Sequence, residues 1–296
     1  MAHDHSHTTA GRNTRKLAIV FGLTVLYLVV EVVGGIWTGS LALLADAGHM
    51  LSDAAGLGLA LVAVWVARRP PSPARTYGYH RVEILAALAN AVVLVLISLY
   101  VLYEAYERFR APPPVASVGM LAVAAVGLVV NLIGVRILHA GSGESLNVRG
   151  AYYEVVSDSL ASLGTILAGA IMWATGWYYA DPLVSAAIGL FILPRTWKLL
   201  SDATHILLEG TPEGVDLTAV RAAIASAPGV SGVHDLHVWA LTSGVNALSA
   251  HVVLTDGAAL GDVLTTVHER VSHGFPIAHV TVQVEPPGWE TAETHP

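Results

Sequence analysis

The sequence contains no cysteine. That absence removes disulfides, thiolate metal sites and cysteine nucleophiles together, so any bound metal must rest on His, Asp and Glu. Such ligands suit zinc and harder divalent ions better than copper(I). Charge is scarce as well: 12% of the 296 residues are Asp, Glu, Lys or Arg, against about 25% in ordinary soluble domains. With 54% hydrophobic residues, the composition implies a polytopic membrane protein. The net charge of -7 is unevenly placed and says little about partners; no nucleic-acid partner is expected. The opening MAHDHSHTTAGRNTRK is polar for too long to be a cleaved signal peptide and is expected to be a mature tail.

Six apolar segments follow, each near the roughly 20 residues that a bilayer-spanning helix needs. They are expected at Leu17–Trp37, Leu41–Ala67, Val82–Tyr106, Val115–Leu138, Ala151–Thr175 and Tyr178–Leu200. Gly39-Ser40, Arg68 to Pro73, Pro112 to Pro114, Gly141 to Gly143 and Gly176-Trp177 punctuate them. Trp37, Tyr106, Trp177, Tyr178 and Trp197 suit an interfacial belt. Of the 15 Lys and Arg, 11 lie in the N-terminal tail, the second and fourth loops and the end of the sixth segment: Arg12, Arg15, Lys16, Arg68, Arg69, Arg75, Arg81, Arg136, Arg149, Arg195 and Lys198. Positive charge concentrates in cytoplasmic loops. Both termini are therefore expected in the cytoplasm, with the chain in the cell's inner (plasma) membrane.

After Asp202 the texture changes. The order helix (Asp216–Ala227), strand (His234–Leu241), strand (Ala247–Leu254), helix (Leu260–Ser272), strand (His279–Glu285) predicts a small α+β domain. The expected organisation is a His-containing flexible tail over 1–15, a six-helix transmembrane domain over 16–201, a cytoplasmic domain over 202–288 and a C-terminal tail over 289–296.

Ionisable groups inside apolar segments are costly and mark ion paths or one another. Two pairs at i, i+4 spacing share helix faces: His49 with Asp53, and Glu154 with Asp158. Together they offer four ligands, the number a tetrahedral zinc ion takes. Asp46 and Ser157 either orient those ligands or hydrogen-bond to backbone. His3, His5 and His7 form a short His-rich arm of the kind that binds zinc or nickel weakly.

Several stretches resemble the cation diffusion facilitator family of membrane zinc exporters: SLALLADAGHMLSDAAGLGLAL, RTYGYHRVEILAALANAV, NVRGAYYEVVSDSLASLG, ADPLVSAAIGL, GVSGVHDLHVWALTSG and LSAHVVL. The resemblance covers nearly the whole chain. It implies six helices with a ferredoxin-like cytoplasmic domain, a homodimer in the lipid bilayer, and a transport site at His49, Asp53, Glu154 and Asp158. Glu154 departs from the family pattern, which has His or Asp there, and leaves one imidazole against three carboxylates. A second family site in the loop after the second helix is lost, because Arg75 and Tyr79 stand at its histidine positions; His80 is read as a loop or interface residue. The family's cytoplasmic metal positions fall on His234, His251 and Glu285, where Zn²⁺ would be regulatory. His237, His268 and His279 either complete that site or are surface histidines. Arg81 and Glu209 fall at positions of a charge interlock.

The expected function is a proton-coupled antiporter that exports Zn²⁺, with Mn²⁺, Fe²⁺ or Co²⁺ as the alternative cargo because of the oxygen-rich ligand set. Histidine titrates near neutrality, so His49 is the first candidate for the coupled proton and Glu154 the second. A membrane-embedded metalloenzyme would need an open coordination position and a general base; no HExxH occurs. A sensor that transports nothing would need no intramembrane quartet.

Overall fold

Glycine and proline stop the helices where the apolar runs end. Gly39 and Gly176 adopt φ of 71° and 69°, a left-handed conformation open mainly to glycine, and each closes a long helix. The computed structural model describes residues 9–67, 69–139 and 146–288; the arm with His3, His5 and His7 and the tail over 289–296 lie outside them. Among the described residues the chain forms α1 (Thr9–Thr38), α2 (Leu41–Ala67), α3 (Arg81–Arg110), α4 (Ser117–His139), α5 (Leu146–Thr175) and α6 (Ala180–Leu207). A smaller part follows with α7 (Leu217–Ala225), β1 (Val230–Thr242), β2 (Val245–Leu254), α8 (Leu260–Gly274) and β3 (His279–Glu285). The chain divides into two compact units, residues 1–58 with 89–198 and residues 59–88 with 199–296.

Five of the long helices are both long and apolar enough to cross a membrane. The sixth, α2, has 27 residues and so extends about 40 Å, more than a bilayer's hydrocarbon core. Large side chains such as Ile36, Leu96, Phe191 and Trp197 point outward, as a lipid-facing surface requires. Inside the first unit α4 packs against both α1 and α5. Gly127 permits the closest approach, because a Cβ there would collide with the Tyr27 ring and hydroxyl.

The start of α2 is held by a residue 140 positions away. Asp181, fully buried at the start of α6, accepts from Leu41 N at 2.8 Å, Ala42 N at 3.2 Å and Ser40 Oγ at 2.7 Å. These satisfy donors that a helix N-terminus leaves unpaired. Arg108 Nη1 donates to Asp181 Oδ2 at 3.4 Å and to the Gly39 carbonyl at 2.6 Å. This tertiary cap fixes the helix that carries His49 and Asp53.

In the second unit the sheet order is β1-β2-β3, with β1 antiparallel and β3 parallel to β2. The α8 crossover places Val263, Val267 and Val271, four residues apart, against Val238, Leu248 and Val252 of the sheet. Asp216 caps α7 by accepting from Thr218 N at 2.8 Å. Strand β1 starts four residues earlier than the alternation of its sequence predicts, because a bulge breaks its register between His234 and His237.

Candidate metal centres

Residues four apart on a helix present side chains to one face, and α2 and α5 each present such a pair. His49 Nε2 stands 3.4 Å from Asp53 Oδ2 and 3.4 Å from Glu154 Oε1. One ligand atom from each of the three residues lies within 4.8 Å of the others. Asp158 is 6% exposed, one turn further along α5, and stands outside that trio. Ser157 donates to the Tyr153 carbonyl at 3.0 Å, so it serves its own helix and not the ligands. Asp46 is buried, one turn before His49, and its Oδ1 has no hydrogen-bond partner among the described residues.

Sequence reasoning missed Arg195. Its guanidinium holds Glu154 with two bonds, Nη1 to Oε1 at 3.0 Å and Nη2 to Oε2 at 2.9 Å, the fork geometry that suits a carboxylate. In the sequence Arg195 looks like one more basic residue near a helix end. Its one local oddity is Pro194 inside α6, which removes a backbone donor there.

A cavity of about 290 Å³ opens beside this cluster, lined by Asp53, Gly56, Asn90, Gly150, Glu154 and Arg195. Behind His49, the side chains of Leu94, Ile97, Val101, Ile188 and Ile192 leave only about 10 Å³, at most the room a single water takes. The cluster is therefore open on the side of the first turns of α5 and closed by apolar side chains on the other.

The second cluster sits on the sheet. His234 pairs with His251 across β1 and β2, and Glu285 follows Gln283 by two on β3. Glu285 is fully buried. Its Oε2 lies 2.9 Å from His234 Nε2 and its Oε1 3.1 Å from His251 Nδ1; Gln283 Nε2 donates to Oε1 at 3.0 Å. The bulge lets Asp235 approach the same cluster, with Oδ2 3.6 Å from His251 Nε2. Asp235 has φ of 48°, and non-glycine residues in that region mark strained, often functional, positions. His237 Nε2 bonds Asp235 Oδ1 at 2.9 Å, which holds the Asp235 carboxyl below the usual carboxylate range. Sequence reasoning missed Asp235, although it directly follows His234. His279 meets the edge of the Tyr77 ring at 5.6 Å, and His268 lines a shallow surface cavity with Glu269.

Arg81 and Glu209 form an ion pair at 2.8 Å. Nearby, Thr242 Oγ1 donates to Glu83 Oε2 at 2.7 Å. Arg75 stacks over Tyr79 at 5.0 Å and bonds its hydroxyl at 3.5 Å, so the two side chains occupy each other.

Residues 17–208 match the family model described as the cation efflux transmembrane domain, and residues 212–287 match the cation efflux protein cytoplasmic domain. The chain is 48% identical over 287 residues to the metal cation efflux system protein CzcD of Cupriavidus metallidurans, covering 96% of this chain and 90% of that protein. It is 43% identical over 290 residues to the cadmium, cobalt and zinc/H(+)-K(+) antiporter of Bacillus subtilis, covering 96% and 92%. It is 42% identical over 291 residues to the zinc transporter ZitB of Escherichia coli, covering 96% and 93%. A solved structure described as the metal-bound C-terminal domain of the C. metallidurans CzcD transporter is 43% identical, over 24% of this chain and 99% of that one, with a TM-score of 0.23. The chain belongs to the cation efflux, or cation diffusion facilitator, family, and it is a multi-pass membrane metal transporter and not an enzyme.

Proposed function

We propose that the protein exports Zn²⁺ from the cytoplasm in exchange for protons, with His49, Asp53, Glu154 and Asp158 as the ligands of the transported ion. The observation that carries this reading is the spacing of the ligand atoms. Ligands about 2.0–2.1 Å from zinc at tetrahedral angles stand about 3.3–3.4 Å apart, and His49 Nε2 lies 3.4 Å from an oxygen of both Asp53 and Glu154. Asp158, one helical turn beyond Glu154, would supply the fourth ligand.

Coupling follows from the ligands themselves. Imidazole and carboxylates bind metal only when deprotonated, so loading releases protons and protonation displaces the ion. Imidazole is the donor in this set best suited to take and give up a proton, which makes His49 the first proton carrier. The cavity beside Asp53 and Glu154 supports loading from the side of the α4–α5 connection, which Arg136 and Arg149 flank. With positive charge inside, that side is the cytoplasm. Release outward requires the apolar wall behind His49 to part, as rocking of helices around a fixed midplane site would allow. Arg195 acts as the counter-charge of Glu154 while no ion is bound and yields Glu154 to the incoming metal.

The remaining assignments complete the account. His234, His251 and Glu285 hold a regulatory divalent ion whose donors now hydrogen-bond one another. The Arg81–Glu209 pair interlocks α3 with the end of α6, two copies form a homodimer, and both termini face the cytoplasm from the inner membrane. The 1–15 arm, the helical domain to residue 201 and the small domain over 202–288 are its parts. One imidazole against three carboxylates also favours a second reading, in which Mn²⁺, Fe²⁺ or Co²⁺ is carried by the same mechanism.

Proteoliposomes under a pH gradient test the reading. Asp53→Ala and Asp158→Ala each abolish zinc accumulation; uptake at the native rate in either variant would remove the site assignment.

A further inference from the structure

Three helices build the apolar wall behind His49: α3 gives Leu94, Ile97 and Val101, α6 gives Ile188 and Ile192, and α2 gives Ala45. The packing is tight. A Cβ at Gly48 of α2 would stand 2.8 Å from Ile97 Cγ2, and one at Gly189 of α6 would stand 3.3 Å from Leu102 Cγ. The same three helices meet again around Asp181. Arg108 follows Val101 on α3 by seven positions, and Asp181 precedes Ile188 on α6 by seven, which is about 10 Å of helix in each case. Leu41 stands one turn before Ala45 on α2. On all three helices the polar junction therefore lies just beyond the wall, on the side away from the cavity at Asp53 and Glu154.

The junction has unequal parts. Asp181 is fully buried, and its three short bonds from Ser40 Oγ, Leu41 N and Ala42 N join α6 to the start of α2. Arg108 joins α3 to both. Its Nη1 donates to the Gly39 carbonyl at 2.6 Å and, over a longer 3.4 Å, to Asp181 Oδ2, while Glu104 one turn earlier accepts from its Nε at 3.0 Å. The Arg108 side chain is 16% exposed, so water can take over its hydrogen bonds when the end of α3 moves away. Asp181 keeps its three other donors when Arg108 leaves, which spares the interior a bare carboxylate. Arg108 is the contact that opens at the lower cost, and Asp181 is the pivot that stays.

We propose that Arg108 is the outer latch of the transport path: it holds the end of α3 against the starts of α2 and α6 and so keeps the wall behind His49 shut. Arg108 is a positioning residue and touches no ion. Its use in release rests on the transport reading, whereas the latch itself does not depend on which metal is carried or where it binds.

The full-length protein has no cysteine, so single cysteines report on the wall. Ser98 is 2% exposed and lines the space behind His49, and Ser98→Cys changes its size little. Modification of that thiol by a charged methanethiosulfonate, followed by mass spectrometry of the protein in detergent, is expected to be about tenfold faster when Arg108→Gln is added, as loss of a charge-assisted hydrogen bond implies. Arg108→Lys, which keeps the charge and loses the fork, is expected to fall between. Ser162→Cys, 1% exposed on α5, is the control and should react no faster with Arg108→Gln. An unchanged rate at Ser98→Cys overturns the proposal, and so does an equal acceleration at Ser162→Cys, which would mean that the whole bundle had loosened. Zinc titration of Asp53→Ala reports separately on the metal site, so failure there with the labelling pattern intact counts against the transport reading alone.

Discussion

Arg195 and Glu154 cannot both keep their two hydrogen bonds once a metal takes a Glu154 oxygen. The bidentate pair, at 2.9 and 3.0 Å, must open or lose half its contacts. Arg195 is largely exposed and Glu154 half-buried, so the pair is worth about 1 kcal/mol, which corresponds to about fivefold in a dissociation constant. Arg195→Gln is therefore predicted to tighten zinc binding about fivefold in calorimetric titrations of the purified protein. Lysine keeps the charge but not the fork, so Arg195→Lys is predicted to fall between the two. A double-mutant cycle isolates the interaction: in a Glu154→Gln background, Arg195→Gln should leave the zinc Kd unchanged. Weaker or unaltered zinc binding in the single Arg195→Gln variant would refute the idea that guanidinium and metal compete for Glu154.

Three further outcomes are expected. Glu154→His replaces a carboxylate by an imidazole and should raise the zinc-to-manganese affinity ratio several-fold; an unchanged ratio in competition titrations would contradict the ligand-charge argument. Asp181→Ala leaves Arg108 and the first amides of α2 without their acceptor and should cost about 2–4 kcal/mol, read as an earlier thermal unfolding transition in detergent, with Asp181→Asn intermediate. Asp235 has its carboxyl held below the ordinary value by the His237 hydrogen bond, so its contribution to stability is present above about pH 4 and lost as pH falls through its lower folded value. Melting curves across that window should show a smaller acid-induced loss for Asp235→Asn than for wild type, and equal slopes would contradict the assignment.

Local pattern carried the elements and the ligand pairs. The run Leu41–Ala67 is a helix with the expected bounds, and His279–Glu285 is a strand with the expected bounds. The i, i+4 spacing puts His49 beside Asp53 because helix geometry is periodic and local. Nothing local marks the partners that arrive from elsewhere. Arg195 reaches Glu154 across 41 positions, and Asp181 reaches Leu41 across 140. Asp235 was masked differently: strand alternation sends it to the face opposite His234, and only the bulge brings it back. The spectator role of Ser157 was also undecidable from spacing, since its hydroxyl could reach either a neighbouring ligand or its own helix backbone.

Anomalous scattering at the zinc edge from crystals of the zinc-loaded protein shows whether a divalent ion binds between α2 and α5. A peak bounded by His49, Asp53, Glu154 and Asp158 is expected, and it should disappear in Asp53→Ala crystals grown under the same conditions. A peak at His234, His251 and Glu285 with none between α2 and α5, or one that survives Asp53→Ala unchanged, would contradict this reading.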